Sequence, residues 1–397
     1  MLLDERKKSI LKAVVDDYIA TAEPVGSKSL VTRYHFNVSS ATVRNEMAEL
    51  EDMGYLEQPH TSAGRIPSDK GYRAYVDSLL SVEDLAEEEA YRIRQYLHES
   101  IDELTGLIRK ASSILSEETG YTSVALSPQL KRSHLSQIKI LMIEPGRALV
   151  VVVLSAGVVK DRLVRIPEIL DAEQLMKIAK AIENQLSGMT LDDITLVTVA
   201  AAAKQTTLPE SLLNQVLYEA YVSIKQADNL EVYMDGSHNL LSYPEFHDVK
   251  KAREYLKTLT STGMIAGYMS ELRDNGDQGD EYWNDESAKD EAKSPDKHLI
   301  LKLSEQFHGD SQKDNRQKPA YTVRIGQEIM LEGLRDCSFI TTTYKMGDFV
   351  AGRIGVIGPK RMAYGKVISN ISFVKKTLND EIKHLAKGES RTEEKSL

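Results

Sequence analysis

The first eighty residues are punctuated so closely that neither a long helix nor a broad sheet can run through them. Ile10, Val14 and Tyr18, flanked by Leu11, Val15 and Ile19, recur at helical spacing, and the pattern stops at "AEPVG", where Pro24 and Gly26 break it. Ser27 is placed to cap a short second helix, "KSLVTRYH". "FNV" supplies a turn, and Ser39 or Ser40 caps a third helix with Val43, Met47 and Leu50 on one face. Gly54 stops that helix. A strand from Tyr55 to His60, a polar turn "TSAG", a return strand "RIP" and a fourth helix from Ser68 follow. Helices this short bury their stripes only by packing on one another, and with the hairpin beside them the pattern is that of a winged helix-turn-helix.

In that arrangement the N-terminal residues of the last helix of the trio reach base edges. Here the positions that do not face the core are Ser40, Ala41, Thr42, Arg44 and Asn45: small residues that permit close approach, with two side chains suited to guanine and adenine edges. A merely solvated face would be richer in Glu and Lys. The helix start, at Ser39 and Ser40, also offers free backbone N–H groups to a phosphate. The hairpin turn, with His60, Thr61, Ser62 and Arg65 around Gly64, carries no acid and suits backbone or minor-groove contact. Lys28, at the start of the second helix, and Arg65 are expected to act mainly on phosphates. The competing explanation is that such a unit packs against protein, with Arg44 in a surface salt bridge, for instance to Glu51 or to a neighbouring domain.

The net charge of −10 speaks against a generally polyanion-binding chain. Its distribution matters more. Gly26 to Asn45 holds Lys28, Arg33 and Arg44 without an acid, and Gln58 to Tyr75 holds Arg65, Lys70 and Arg73 against Asp69 alone. The acids fall between, at Glu46, Glu49, Glu51, Asp52 and Glu57, a division that permits one basic face on an acidic body.

Two long blocks resemble a known family. "SSATVRNEMAELEDMGYLEQPHTSAGRIPSDKGYR" (Ser39 to Arg73) is similar to the N-terminal signature of the HrcA family of heat-inducible transcription repressors. "YTVRIGQEIMLEGLRDCSFITTTYKMGDFVAGRIGVIGPKRMAYGKVIS" (Tyr321 to Ser369) resembles its C-terminal signature. The resemblance covers most of the chain. It implies an α+β protein: a winged helix-turn-helix over 1–80, then a GAF-like mixed α/β domain with an inserted helical dimerisation domain. It further implies a dimer on an inverted-repeat operator upstream of chaperonin and chaperone operons, released on heat shock, and help from a GroEL-type chaperonin in keeping the repressor active.

Ala86, Ala90, Ile93, Leu97, Ile101, Leu104, Ile108, Ala111 and Leu115 keep steps of three and four, giving a long connecting helix over 81–120. Strand textures then begin at Tyr121, helical stretches follow at Ala172 to Leu186 and Pro209 to Gln226, and strands return in the C-terminal block. Strands on both sides of helices suggest one mixed α/β domain interrupted by an insertion, and the GAF-like domain that the resemblance implies is accordingly expected at 121–190 and 246–375, with the inserted domain at 191–245. The N-terminal unit needs its apolar stripes for its own core, so the dimer contact is expected in the long helix and the insertion. Within 274–318, Asp274 to Asp296 sets nine acids against two lysines without apolar periodicity, and reads as a solvated, disordered insert.

Enzyme chemistry finds no support. "GPKRMAYGK" (Gly358 to Lys366) has the wrong glycine spacing for a phosphate loop, with Val367 where Ser or Thr is required. Cys337, the single cysteine, lies in an apolar strand pattern without a histidine partner and reads as a core residue. The nine histidines show no metal-ligand spacing, and no G-x-S-x-G elbow occurs. No cofactor is expected. The lone cysteine, the absence of a membrane-length apolar run and an N-terminus unlike a signal peptide point to the cytoplasm. The rival function is a metabolite-sensing regulator with a ligand in the GAF-like domain.

Overall fold

Helix α1 (Glu5–Thr21) begins at Asp4, whose carboxylate accepts the Lys7 N–H at 2.8 Å. The computed structural model describes residues 3–60, 63–82, 84–98, 104–131, 133–155, 157–202, 208–272, 321–346 and 349–387. Helix α2 (Ser27–Tyr34) has Gly26, not Ser27, at its N-cap. Val25, just before the cap, is held extended by a two-way backbone bridge to Arg65. Ser39 caps α3 (Ser40–Asp52), its Oγ accepting the Thr42 N–H at 3.1 Å, and Val43, Met47 and Leu50 are buried against the other helices. Gly54, with φ +78°, ends the helix in a conformation glycine adopts freely. The hairpin strands β1 (Leu56–Glu57) and β2 (Ile66–Pro67) are shorter than the sequence pattern suggests. Ser68 caps α4 (Asp69–Ala74) and ties it to α3, donating its Oγ hydrogen to Gly54 O at 2.6 Å.

The expected long connecting helix is two helices folded back on each other, α5 (Glu87–His98) and α6 (Leu104–Thr119). Arg92 near the start of α5 grips Glu118 near the end of α6 with two hydrogen bonds of 3.0 and 2.9 Å. The steps-of-three-and-four pattern runs through both because both apolar faces enter one core: Ile93, Leu97, Ile108, Ala111 and Leu115 are all buried. Ile101 lies outside the described residues.

Five strands form an antiparallel sheet: β3 (Thr122–Leu126), β7 (Val232–Asp235), β8 (Thr322–Ile325), β9 (Cys337–Met346) and β10 (Phe349–Pro359), in the order β7-β3-β10-β9-β8. Helices α6 and α12 (Tyr364–Lys387) cover one face, and α10 (Val249–Thr260) and α11 (Thr262–Glu271) the other. Neighbouring residues on β3 report both layers: Ser123 bonds Ser112 of α6, while Thr122 meets the Tyr255 hydroxyl of α10 at 2.6 Å. With both faces covered, β9 is almost continuously buried, Cys337 included, and burial pushes its thiol pKa well up.

Strands β4 (Leu135–Glu144), β5 (Arg147–Leu154) and β6 (Val159–Arg165) do not join this sheet. They make a separate three-stranded meander, with α7 (Ala172–Leu186) and α9 (Glu210–Gln226) on one face and the short α8 (Leu196–Ala201) alongside. The chain leaves the large sheet after β3 and returns into its neighbour β7, where Ser127 and Glu231 are joined by two 2.8 Å hydrogen bonds. The expected boundaries, 121–190 plus 246–375 with an insertion at 191–245, therefore do not fit the topology: the self-contained unit lies between Ser127 and Glu231. Strand texture cannot reveal which distant strand a segment will pair with. The acidic stretch 274–318 lies outside the described residues. No described helix is long and apolar enough to cross a membrane.

The N-terminal unit rests on the five-stranded body through α4. Asp69 pairs with Lys360, Arg73 with Glu328, and the rings of Tyr72 and Tyr75 lie 6.1 and 6.3 Å from that of Tyr364.

Candidate nucleic-acid interface

The start of α3 is the part of the N-terminal unit left open by its own packing. Val43, Met47 and Leu50 turn inward, which places Ala41, Arg44 and Asn45, spaced three and four apart, on the outward face. Ser39, Ala41, Arg44 and Asn45 are exposed, with Ser40 and Thr42 half-exposed at the rim. Ala48 continues the same stripe one turn further on and was not singled out from the sequence, although its spacing from Ala41 and Arg44 marks it.

Electrostatics sharpen the picture, because the unit consumes most of its own charge. Lys7 sits 2.9 Å from both Glu46 and Glu49, which raise its pKa, and Arg6 reaches Glu46 at 3.4 Å. Arg33 is paired with Asp17. Lys70, counted as part of a basic block, donates to Met53 O at 2.8 Å and lies over the Tyr55 ring. Arg73, from the same block, is turned away into the body of the protein. Among the described residues no acidic side chain pairs with Lys28 or Arg44. The acids at Glu46, Glu49 and Glu51 are all engaged elsewhere, so the helix start keeps its positive end and its cation.

The hairpin is braced rather than free. Val25 and Arg65 exchange backbone hydrogen bonds of 2.9 Å each, and Gln58 Nε2 donates to Ala63 O at 3.0 Å. Gly64 makes this approach possible, since a Cβ there would lie 2.4 Å from Val25 O. Arg65, expected as an open phosphate contact, has only 18% of its side chain exposed and places Nε 2.7 Å from Glu51. A count of charges along the sequence does not show that the two meet. His60 is exposed at the hairpin, and Lys28 is exposed on the first turn of α2. Thr61 and Ser62 lie outside the described residues. The arrangement can present hydrogen-bonding side chains and a helix N-terminus to a polyanion. "GPKRMAYGK" is likewise structural: Lys360 and Arg361 pair with Asp69 and Glu245.

The family model described as the HrcA protein C-terminal domain matches residues 105–368. Heat-inducible transcription repressor HrcA of Ruminiclostridium cellulolyticum is 39% identical over 383 residues, covering 96% of this chain and 98% of the relative. The repressor of the same name from Acetivibrio thermocellus is 38% identical, over 97% and 98% of the two chains. A crystal structure of a hypothetical protein shares the fold, with a TM-score of 0.58 at 20% identity, covering 97% of this chain and 100% of that one. With a family model and near full-length relatives in agreement, the chain belongs to the HrcA family of heat-inducible transcription repressors, a family of regulators and not of enzymes.

Proposed function

We propose that residues 1–80 form a winged helix-turn-helix in which α3 is the recognition helix and the β1–β2 hairpin the wing. In this reading the protein represses chaperonin and chaperone operons by binding an inverted repeat upstream of them. One observation carries it: the first two turns of α3 expose small residues with Arg44 and Asn45, while Glu46, Glu49 and Glu51 of that helix are occupied by other cations. Ser39, Ser40, Ala41, Thr42, Arg44 and Asn45 approach the major groove. Lys28 holds a phosphate, and His60, Thr61 and Ser62 follow the backbone or minor groove. Arg65 keeps the wing in place through Glu51. Lys28 and the positive end of α3 supply the salt-dependent part of the affinity.

An inverted repeat calls for a two-fold dimer. The unit between Ser127 and Glu231 is suited to make it. Leu141, Leu149 and Leu163 align across β4, β5 and β6 on the sheet face opposite α7 and α9, with Leu141 51% and Leu163 48% exposed. A second copy placed on this apolar row buries it, and a symmetric pairing of like faces closes the assembly. We accordingly assign the split GAF-like domain to the five-stranded body and the dimerisation role to 128–230. The setting is the cytoplasm, and the GroEL-type chaperonin is the partner that keeps the repressor active.

The rival reading, a metabolite sensor, has a cleft of about 790 Å³ beside β7, between Tyr96, Arg109, Lys110 and Tyr233. It opens broadly to solvent and is lined as much by charged and polar groups as by apolar ones, unlike an enclosed ligand site. A footprint of the full-length protein on the organism's own chaperone promoter, with and without chaperonin, tests the repressor reading. A protected inverted repeat, strengthened by chaperonin, supports it, and no protection under either condition refutes it.

A further inference from the structure

Asp69 and Arg73 lie one turn apart on α4, and both reach from the N-terminal unit to the body. Asp69 accepts the Gln327 N–H at 3.0 Å and pairs with Lys360 Nζ at 2.7 Å. Arg73 is gripped by both carboxylate oxygens of Glu328, with Nε to Oε1 at 2.9 Å, and donates to Val323 O at 2.7 Å. The receiving turn is shaped for this contact. Gly326 has φ +55°, and a Cβ there would fall 2.1 Å from an Asp69 carboxylate oxygen, so Asp69 reaches the Gln327 amide only because position 326 is glycine.

The two ion pairs run in opposite senses: an acid of α4 meets a base of the body, and one turn later a base of α4 meets an acid. Sliding α4 by a turn, or reversing it, sets Asp69 against Glu328 or Arg73 against Lys360, so the pattern selects one pose as well as holding it. That pose is passed to α3. Lys70 donates to Met53 O at 2.8 Å, Ser68 Oγ to Gly54 O at 2.6 Å and Ser68 N to Tyr55 O at 3.1 Å, which joins the start of α4 to the end of α3.

We propose that Asp69, Arg73, Glu328 and Lys360 form a charge-keyed clasp that fixes the direction of α3 on the body, and thereby sets the half-site spacing the dimer accepts. These are positioning residues, with no contact to DNA. The proposal rests on the reading of α3 as recognition helix and of the protein as a dimer.

The test uses the full-length protein, Glu328→Gln, Glu328→Arg and the exchange Arg73→Glu with Glu328→Arg. Spin labels at Asp52→Cys and Glu332→Cys report the pose without DNA. With labelled chains diluted into unlabelled ones so that a dimer carries one labelled pair, one narrow distance is expected in the parent and in the exchanged pair, and a broad distribution in Glu328→Arg, with Glu328→Gln between. Operator duplexes with the natural spacer and with one to four added base pairs report the consequence. The parent is expected to lose about a hundredfold on a wrong spacer, as avidity is lost when geometry forbids double engagement, and Glu328→Arg less than about fivefold. The exchanged pair regains the preference, and affinity for a single half-site is equal in all variants. A narrow distance and intact spacer preference in Glu328→Arg and Glu328→Gln overturn the clasp, as does a folded exchanged pair that recovers neither. If the parent fails to tell a half-site from random duplex, the recognition-helix reading falls, and the label distances still decide the clasp.

Discussion

Arg65 Nε lies 2.7 Å from the carboxylate of Glu51, and that ion pair is one reason Arg44 stands alone on α3. Glu51 is the acid that a surface salt bridge from Arg44 would be expected to use. With Glu51 turned to the hairpin, and Glu46 and Glu49 held by Lys7, the exposed guanidinium keeps its hydrogen-bonding capacity for a ligand.

The same pair gives Arg65 and Lys28 different signatures. Lys28→Ala is expected to weaken all duplexes nearly alike and to lower the slope of log affinity against log salt by about one unit. Arg65→Ala is expected to change the slope by less than half as much as Lys28→Ala, while loosening the hairpin, seen as faster exchange of the backbone amides of Val25 and of position 65. Filter-binding titrations over a salt series separate the two.

Gly64 is the point where the hairpin closes on Val25. Gly64→Ala brings a methyl group to within 2.4 Å of a backbone carbonyl that cannot move aside without opening the bridge. The expected cost is roughly 1–3 kcal/mol of stability, in line with other overpacked sites, and thermal unfolding of the variant checks it. Gly54→Ala meets no neighbour and is disfavoured only by its φ of +78°.

The dimer assignment makes Leu163 the residue to charge. Leu163 ends the row on β6 and is half-exposed in the single chain, so Leu163→Asp should leave folding intact. Sedimentation is expected to show a shift toward monomer, with operator affinity falling and half-site affinity unchanged. A variant that remains fully dimeric would remove this face from the account.

Alkaline pH should unfold the protein from within. Tyr72, Tyr344 and Tyr364 are buried, and burial raises each phenol pKa above the ordinary 10.0. A raised folded-state pKa means the stabilisation is fully present below pH 10.0 and is lost as pH climbs past it, because the unfolded chain ionises first. The melting temperature should be insensitive to these groups at neutral pH and fall steadily above pH 10, with the share of tyrosinate absorbance that belongs to these three buried phenols appearing only on unfolding.

Much of the N-terminal unit was legible because its signals are local. Val43, Met47 and Leu50 mark one face at helical spacing, Ser39 is a cap beside its own helix, and Gly54 is a stop. What failed was set by partners distant in sequence. Strands β4–β6 formed their own sheet because β3 pairs with β10 and β7 instead. Arg65, Lys70 and Arg73 read as a basic block, yet each points to a different neighbour: Glu51, Met53 O and Glu328. The two sequence blocks that carry the family resemblance turned out to be two sides of one contact, Asp69 and Arg73 against Lys360 and Glu328.

The central claim is that α3 reads bases through Arg44, and one titration tests it most directly. Arg44→Ala is measured on the operator, on an operator with altered half-sites and on random duplex at several salt concentrations. A base-directed contact predicts a loss of about 1–3 kcal/mol on the operator, a much smaller loss on the other two and a nearly unchanged salt slope. Equal losses on all three duplexes would contradict it.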